Sequence, residues 1–306
     1  MTSWRPGRIA VQVGLGALLA ACASGCLAHH TGAMPGEPAD GTFVSVEGVR
    51  VRYLDVGEGP AVVLLHGFAS SIENWVAVIP ALKGKHRVLA VDLKGFGWTD
   101  RPVGDYSPAA QAALVRAVMK ERGVDKAAVV AHSWGSSVAL AFALAYPEAT
   151  ERLALYDAWV YESQLPSMFQ LARAKGLGEF LFAAFYSERG DERLANAFYD
   201  PEIIPEKLVE DVERAMERPG TRAAALEAVR GMRFFEVEGR YSSIKAPTLL
   251  LWGREDIVTP LSVGERLSRE LPNARLVVYP RCGHFPMIEA IAASNRELVT
   301  FLGGAP

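Results

Sequence analysis

The chain has 306 residues, of which 50% are hydrophobic and 22% are charged, which is enough apolar content to bury a sizeable core. Its net charge of −3 and its lack of any run of Lys and Arg argue against a nucleic-acid partner. Its three cysteines lack zinc-ligand spacing with histidines, and no segment fits a phosphate-binding loop, so we expect neither a metal nor another cofactor.

The N-terminal segment has the features of an export signal. Two arginines precede an apolar run from Ile9 to Ala21, which is too short to span a bilayer comfortably. The run ends at Leu19-Ala20-Ala21-Cys22, which resembles the bacterial lipobox, whose cysteine becomes the lipid-modified first residue of the mature protein. We predict a signal peptide over residues 1–21 and an exported protein whose lipid on Cys22 anchors it to a membrane. A soluble periplasmic or secreted product and an uncleaved signal anchor are the alternatives.

Residues 22–41 are rich in Gly and Pro and are predicted to form a flexible linker without catalytic groups. His29 and His30 lie in this stretch and are expected to be solvated. Beyond the linker, apolar strand-like and helical segments alternate from Val51 to Tyr156 and again from Pro247 to Leu302. This alternation predicts an α/β fold with a mostly parallel sheet and helices on both faces.

A serine follows one of the predicted strands in the pentapeptide Ala131-His132-Ser133-Trp134-Gly135. The segment before it, from Lys126 to Val130, reads as a buried strand, and the one after it, from Ser136 to Tyr146, reads as a helix. A sharp turn from strand to helix exposes the serine hydroxyl and requires small residues two positions before and after it. Ala131 and Gly135 meet that requirement, although Ala131 replaces the usual glycine. Ser133 is therefore the predicted nucleophile.

A serine needs a base and a carboxylate to become nucleophilic. Of the six histidines, His284 is the predicted base, because it lies in a loop directly after the strand Ala274–Tyr279. Asp256 is the predicted acid, since it follows the apolar segment Pro247–Leu251. Glu255 and Asp157 are rival acids.

These blocks resemble the α/β-hydrolase superfamily. Besides the order Ser133, Asp256, His284, the resemblance rests on His66-Gly67 and on Asp92 to Asp100, and it covers roughly residues 42–303. It implies that the backbone N–H groups of Phe68 and Trp134 form an oxyanion hole, while His66 acts as a structural hydrogen-bonding residue. It also implies a core of residues 42–157 and 244–303, with a helical cap inserted at residues 158–243.

The predicted cap contains twelve of the 28 aromatic residues, which favours a pocket for a hydrophobic group. Haloalkane dehalogenases and epoxide hydrolases of this fold use an aspartate nucleophile, and a serine there would form an ether that water does not cleave. We therefore predict a serine hydrolase that cleaves esters of small or medium hydrophobic compounds and takes a small hydrophobic acyl substrate.

Several alternatives share the same three catalytic residues. Carbon–carbon bond hydrolases of ring-cleavage pathways also use serine, but many carry Trp after the catalytic histidine, where this chain has Phe285. Proline iminopeptidases carry a longer His-Gly-Gly-Pro-Gly loop, where this chain reads His66-Gly67-Phe68-Ala69-Ser70. Acyl transfer and a non-catalytic ligand-binding protein of this fold remain further alternatives.

Overall fold

An eight-stranded sheet forms the centre of the molecule, in a computed structural model that describes residues 27–186 and 190–303. The strands lie in the order β1-β2-β4-β3-β5-β6-β7-β8. The first two strands are antiparallel to their neighbours and the other six run parallel. The strands are β1 Thr42–Val46, β2 Val49–Val56, β3 Ala61–Leu65, β4 Arg87–Val91, β5 Ala127–His132, β6 Thr150–Tyr156, β7 Thr248–Gly253 and β8 Ala274–Tyr279.

Helices connect the strands and cover both faces of the sheet. They are α1 Ile79–Leu82, α2 Pro108–Glu121, α3 Trp134–Ala145, α4 Ser167–Ala172, α5 Leu177–Ala184, α6 Gly190–Ala197, α7 Glu206–Glu217, α8 Thr221–Gly231, α9 Leu261–Glu270, α10 Pro286–Glu289 and α11 Ile291–Gly303. None of the helices in this described part is both long and apolar enough to cross a membrane. The predicted α/β-hydrolase architecture, with its mostly parallel sheet, is confirmed.

The central strands are apolar along their whole length because helices cover both of their faces. Every residue of β5 and of β7 is buried, as expected for parallel strands in the middle of such a sheet. Since β5 to β8 run parallel, their carboxyl ends meet at one edge, where the loops after them bring side chains together.

The segment between β6 and β7 is helical and contains no strand among its described residues. Its helices α4, α5 and α8 pack on one another through buried side chains, including Ala172, Phe182 and Leu226. These side chains continue the main hydrophobic core, which also contains Trp134 and Trp159 beside the nucleophile turn. The segment therefore covers the edge of the sheet at which the parallel strands end.

Residues 27–41, predicted as part of a flexible linker, lie against the rest of the molecule instead. His30 and Arg101 exchange two backbone hydrogen bonds, and the Gly32 N–H donates to Asp100 at 2.8 Å. Met34 is buried against Arg101, and Glu37 forms a two-pronged ion pair with Arg50. Polar partners in the core thus order a segment whose composition alone indicates a solvated chain. The predicted signal peptide and Cys22 lie outside the described residues.

Candidate active site

Ser133 occupies a strained turn between β5 and α3. Its φ of +51° lies in the left-handed region, which a residue with a side chain adopts only when its surroundings impose it. Two hydrogen bonds fix the turn: the Ser133 N–H donates to the Tyr156 carbonyl at 2.9 Å, and its own carbonyl accepts from the Trp159 N–H at 3.1 Å. A Cβ on Gly135 would lie 2.3 Å from the His66 carbonyl oxygen, so the strand and helix approach too closely there for any side chain.

Asp256 and His284 are joined by a hydrogen bond. Asp256 Oδ2 lies 2.8 Å from His284 Nδ1, and both side chains are buried. Three further donors surround the carboxylate: the N–H groups of Val258 and Thr259 donate to Oδ1, and the Thr259 hydroxyl donates to Oδ2 at 2.6 Å. Burial disfavours ionisation, but the charge and hydrogen bond of His284 and the donors from Thr259 outweigh it and hold the pKa of Asp256 below its usual value.

The two rival acids lie nearby in different roles. Glu255 accepts a hydrogen bond from the Cys282 N–H at 3.0 Å and so ties together the loops after β7 and β8. Asp157 directly follows β6 and accepts from the Gly253 N–H at 2.9 Å. Of the three acids predicted from the sequence, the structure places Asp256 against the histidine.

Among the described residues, Asp157, Asp256 and His284 form a cluster of possible metal ligands. One carboxylate oxygen of each Asp and one ring nitrogen of His284 lie within 4.8 Å of one another, a spacing at which a metal ion fits. The facing atoms Oδ2 of Asp256 and Nδ1 of His284 already bond each other. This pairing fits the orientation of an imidazole by a carboxylate rather than the binding of an ion.

A cavity of about 380 Å³ opens beside Ser133 and His284. Apolar side chains from the loops after the strands and from the helical segment between β6 and β7 line most of the cavity. They are Phe68, Ala69, Trp159, Phe169, Leu194, Ala197, Leu208, Val212, Val258 and Phe285. Asn74, His132 and Ser70 add polar groups near the serine. The site therefore offers a mainly apolar space that ends at a serine and a histidine.

The two residues of the predicted oxyanion hole lie close to each other, with ring centroids 6.1 Å apart. Gly67 approaches so closely that a Cβ added to it would lie 3.1 Å from Cβ of Ser133, and Phe68 follows it along the cavity wall. Trp134 is the first residue of α3, and N–H groups in the first turn of a helix have no partner within the helix. This placement suits the oxyanion role that the sequence predicts for the two N–H groups.

His66 is a structural residue beneath the oxyanion loop, as predicted. Its Nε2 accepts from the Leu93 N–H at 2.9 Å, so Nδ1 carries the proton and donates to the Gly67 carbonyl at 2.7 Å. Complete burial lowers the pKa of His66, which keeps the ring neutral. Both ring nitrogens are thus used to hold the loop that precedes Phe68.

His132 and Asn74 form a polar pair that the sequence analysis did not predict. His132 Nε2 donates to the His284 carbonyl at 2.8 Å, which leaves Nδ1 to accept from the Asn74 side-chain amide at 3.1 Å. Burial, with the neighbouring His284 second, lowers the pKa of His132 well below its usual value, so this ring also stays neutral. The pair thereby holds the backbone carbonyl of His284.

The sequence profile of the alpha/beta hydrolase fold matches residues 60–291, which include every residue of this site. The chain belongs to the α/β-hydrolase family. It is a hydrolase of that fold, as predicted.

Relatives of this α/β hydrolase have named activities. A 2-hydroxy-6-oxononadienedioate/2-hydroxy-6-oxononatrienedioate hydrolase of Comamonas testosteroni is 32% identical to it over 83% of this chain and 91% of the relative. A meta-cleavage product hydrolase from Pseudomonas fluorescens is 29% identical with a TM-score of 0.74, over 85% of this chain and 97% of that one. Est816, an N-acyl homoserine lactone degrading enzyme, is 25% identical with a TM-score of 0.71, over 85% of this chain and 100% of that one.

Proposed function

We propose that this hydrolase cleaves esters of small or medium hydrophobic compounds through an acyl-enzyme on Ser133. The observation that carries the proposal is the apolar cavity that ends at Ser133 and at the hydrogen-bonded pair of His284 and Asp256. An apolar wall stabilises a hydrocarbon acyl or alcohol group by about 25 cal/mol per Å² of surface removed from water. It gives no such stabilisation to a charged group.

In the proposed mechanism, Ser133 attacks the ester carbonyl while His284 takes the proton from its hydroxyl. Asp256 holds the imidazole with Nδ1 protonated and stabilises the imidazolium that forms. The N–H groups of Phe68 and Trp134 donate to the oxyanion, and one such donor contributes about 2.7–4 kcal/mol of transition-state stabilisation in other enzymes. His284 then protonates the leaving alcohol and activates water to release the acid.

Hydrolysis of a carbon–carbon bond is the second candidate, and the relatives favour it over the ester prediction. Their names are those of meta-cleavage product hydrolases, whose substrates carry one or two carboxylates. A buried carboxylate requires a cationic partner or several donors. The described residues that line the cavity include no Lys or Arg, although Ser70, Asn74 and Asn196 offer hydrogen-bond donors. The lack of a cationic partner favours the neutral ester.

A substrate panel distinguishes the two candidates. We expect kcat/KM for p-nitrophenyl esters to rise with acyl length until the chain fills the cavity, because each buried CH₂ contributes about 0.8 kcal/mol. We expect the 2-hydroxy-6-oxo-dienoates to be cleaved about 100-fold less efficiently, since a carboxylate gains no cationic partner in this wall. The measurement is kcat/KM for both series on the same preparation. A dienoate preferred over every ester would establish carbon–carbon hydrolysis instead.

We also propose that the exported protein is anchored to a membrane by lipid on Cys22. The support is the short apolar segment that ends at Leu19-Ala20-Ala21-Cys22 behind two arginines. Lipoprotein modification attaches more than one acyl chain, which stable anchoring requires.

For the anchor, we expect the full-length protein expressed in a bacterial host to fractionate with membranes and to incorporate labelled palmitate. Cys22→Ala removes the acceptor thiol, so it should block the label and leave an uncleaved precursor. Cys26→Ala is the matched control, since it removes a cysteine four residues later and should change neither result. Wild-type protein found without lipid in the soluble fraction would favour the alternative of an ordinary exported enzyme.

A further inference from the structure

A second carboxyl group lies beside the Asp256–His284 pair and has no part in the mechanism above. Asp157 is completely buried at the carboxyl end of β6, and its φ of +43° lies in the left-handed region. One of its oxygens accepts the Gly253 N–H at 2.9 Å. The other, Oδ2, has no donor among the described residues.

The two carboxyl groups cannot both be ionised without a large repulsion. One carboxylate oxygen of Asp157, one of Asp256 and one ring nitrogen of His284 all lie within 4.8 Å of one another. All three side chains are buried. Like charges at that distance disfavour each other strongly in a buried site. One of the two carboxyl groups must therefore carry a proton near neutral pH.

The surroundings decide which of them does. Asp256 receives hydrogen bonds from His284 and from the donors of Val258 and Thr259, and all of these favour its charged form. Asp157 receives one, from Gly253. Burial, with the charge of Asp256 second, raises the pKa of Asp157 well above its usual value. The proton accordingly belongs to Asp157, whose bare Oδ2 then becomes a donor.

We propose that Asp157 is a positioning residue for the catalytic acid: it keeps a proton at neutral pH and donates a hydrogen bond through it to the Asp256 carboxylate. This adds one member to the proposed catalytic series of Ser133, His284 and Asp256, of which His284 and Asp256 are hydrogen-bonded to each other, and it rests on the proposed serine mechanism. A hydrogen bond from Asp157 spreads the negative charge of Asp256. The Asp256 carboxylate then stabilises the imidazolium of His284 less than a carboxylate without that hydrogen bond would. A change at Asp157 is therefore expected to reach His284 through the charge on Asp256.

Three other titratable groups lie near Asp157. Burial raises the pKa of Tyr156 and of Cys282, so both stay neutral near neutral pH. Glu289 accepts hydrogen bonds from the N–H groups of Gly283 and Phe285, which occupy its carboxylate. Asp256 is therefore the charged group whose state Asp157 affects most directly.

The test is the titration of His284, followed by NMR in full-length protein with ¹⁵N-labelled histidine and assigned by its loss in His284→Asn. Asp157→Asn replaces the protonated acid by a neutral amide donor of the same shape, so the midpoint should stay at its wild-type value. Asp157→Leu keeps the branched shape of the side chain but removes the hydrogen-bond donor. The Asp256 carboxylate then stabilises the imidazolium of His284 more strongly, so the midpoint of the His284 titration should rise by about one pH unit. The acidic limb of the kcat/KM profile should move to higher pH with it.

Opposite results would overturn the proposal. If Asp157 were ionised, Asp157→Asn would remove a negative charge and lower the midpoint by about one unit. A midpoint that does not move in Asp157→Leu would reduce Asp157 to a packing role. Thermal melting shows whether each variant folds, and the isosteric Asp157→Asn keeps the test decisive if the leucine variant does not. Because the NMR titration needs no substrate, an enzyme that fails to cleave esters would refute the proposed function without affecting this result.

Discussion

Ser133→Ala is expected to lower kcat for ester hydrolysis by a factor on the order of 10⁵–10⁶, the largest effect of any single change in this chain. Alanine keeps the backbone of the turn and removes the only atom that bonds to the substrate, while the oxyanion N–H groups remain and supply residual catalysis. The measurement is kcat with p-nitrophenyl esters, together with loss of fluorophosphonate labelling and an unchanged thermal melting temperature.

Ser136→Ala is the matched control for this prediction. Ser136 lies three residues further on, in the first turn of α3, and is equally buried, but its hydroxyl has no hydrogen-bond partner among the described residues. Removal of that hydroxyl should leave both kcat and labelling near wild type. Retention of more than a few per cent of activity in Ser133→Ala would place the nucleophile elsewhere.

Asp256→Asn should lower kcat by about 10⁴ with little change in the fold. The asparagine amide keeps the shape of the carboxylate, but it favours the wrong tautomer of His284, so that a protonated nitrogen faces Ser133. It also removes the negative charge that stabilises the imidazolium. The measurement is kcat at saturating ester, at the pH at which the wild-type rate is highest.

Glu255→Gln provides the control for the acid. Glu255 precedes Asp256 directly, and its oxygen accepts from the Cys282 N–H, a role that the amide oxygen of glutamine retains. We expect it to keep most of the wild-type kcat. If Asp157→Asn instead proved more damaging than Asp256→Asn, the catalytic acid would lie at the end of β6 rather than after β7.

The sequence predicted the central sheet closely because buried parallel strands have a strong local signature. The strand Ala274–Tyr279 lies where it is predicted, and the predicted segments Lys126 to Val130 and Pro247–Leu251 overlap β5 and β7 to within two residues. The positions of Ser133, Asp256 and His284 follow from the same signature, since each comes directly after a strand and parallel strands end at one edge. Ser133 and Asp256 are 123 positions apart in the chain, but the shared edge of the sheet places both near His284. Ser133 and His284 line the same cavity, and Asp256 is hydrogen-bonded to His284.

What the sequence did not predict depends on contacts between distant segments. Thr259 donates to Asp256, and Asn74 reaches His132 across 58 positions, but neither residue belongs to a motif that marks its partner. The contacts of residues 27–41 have the same origin. Their composition is that of a linker, and only Asp100, Arg101 and Arg50 in the folded core give their polar groups a place to bind.

The left-handed backbone of Ser133 has a consequence for the stability of this chain. A non-glycine residue held in a sparsely populated backbone conformation costs about 1–3 kcal/mol, and glycine would adopt the observed φ of +51° without that cost. Ser133→Gly would therefore relieve the strain of the turn while removing the proposed nucleophile, so a gain in stability and a loss of activity would come from the same change.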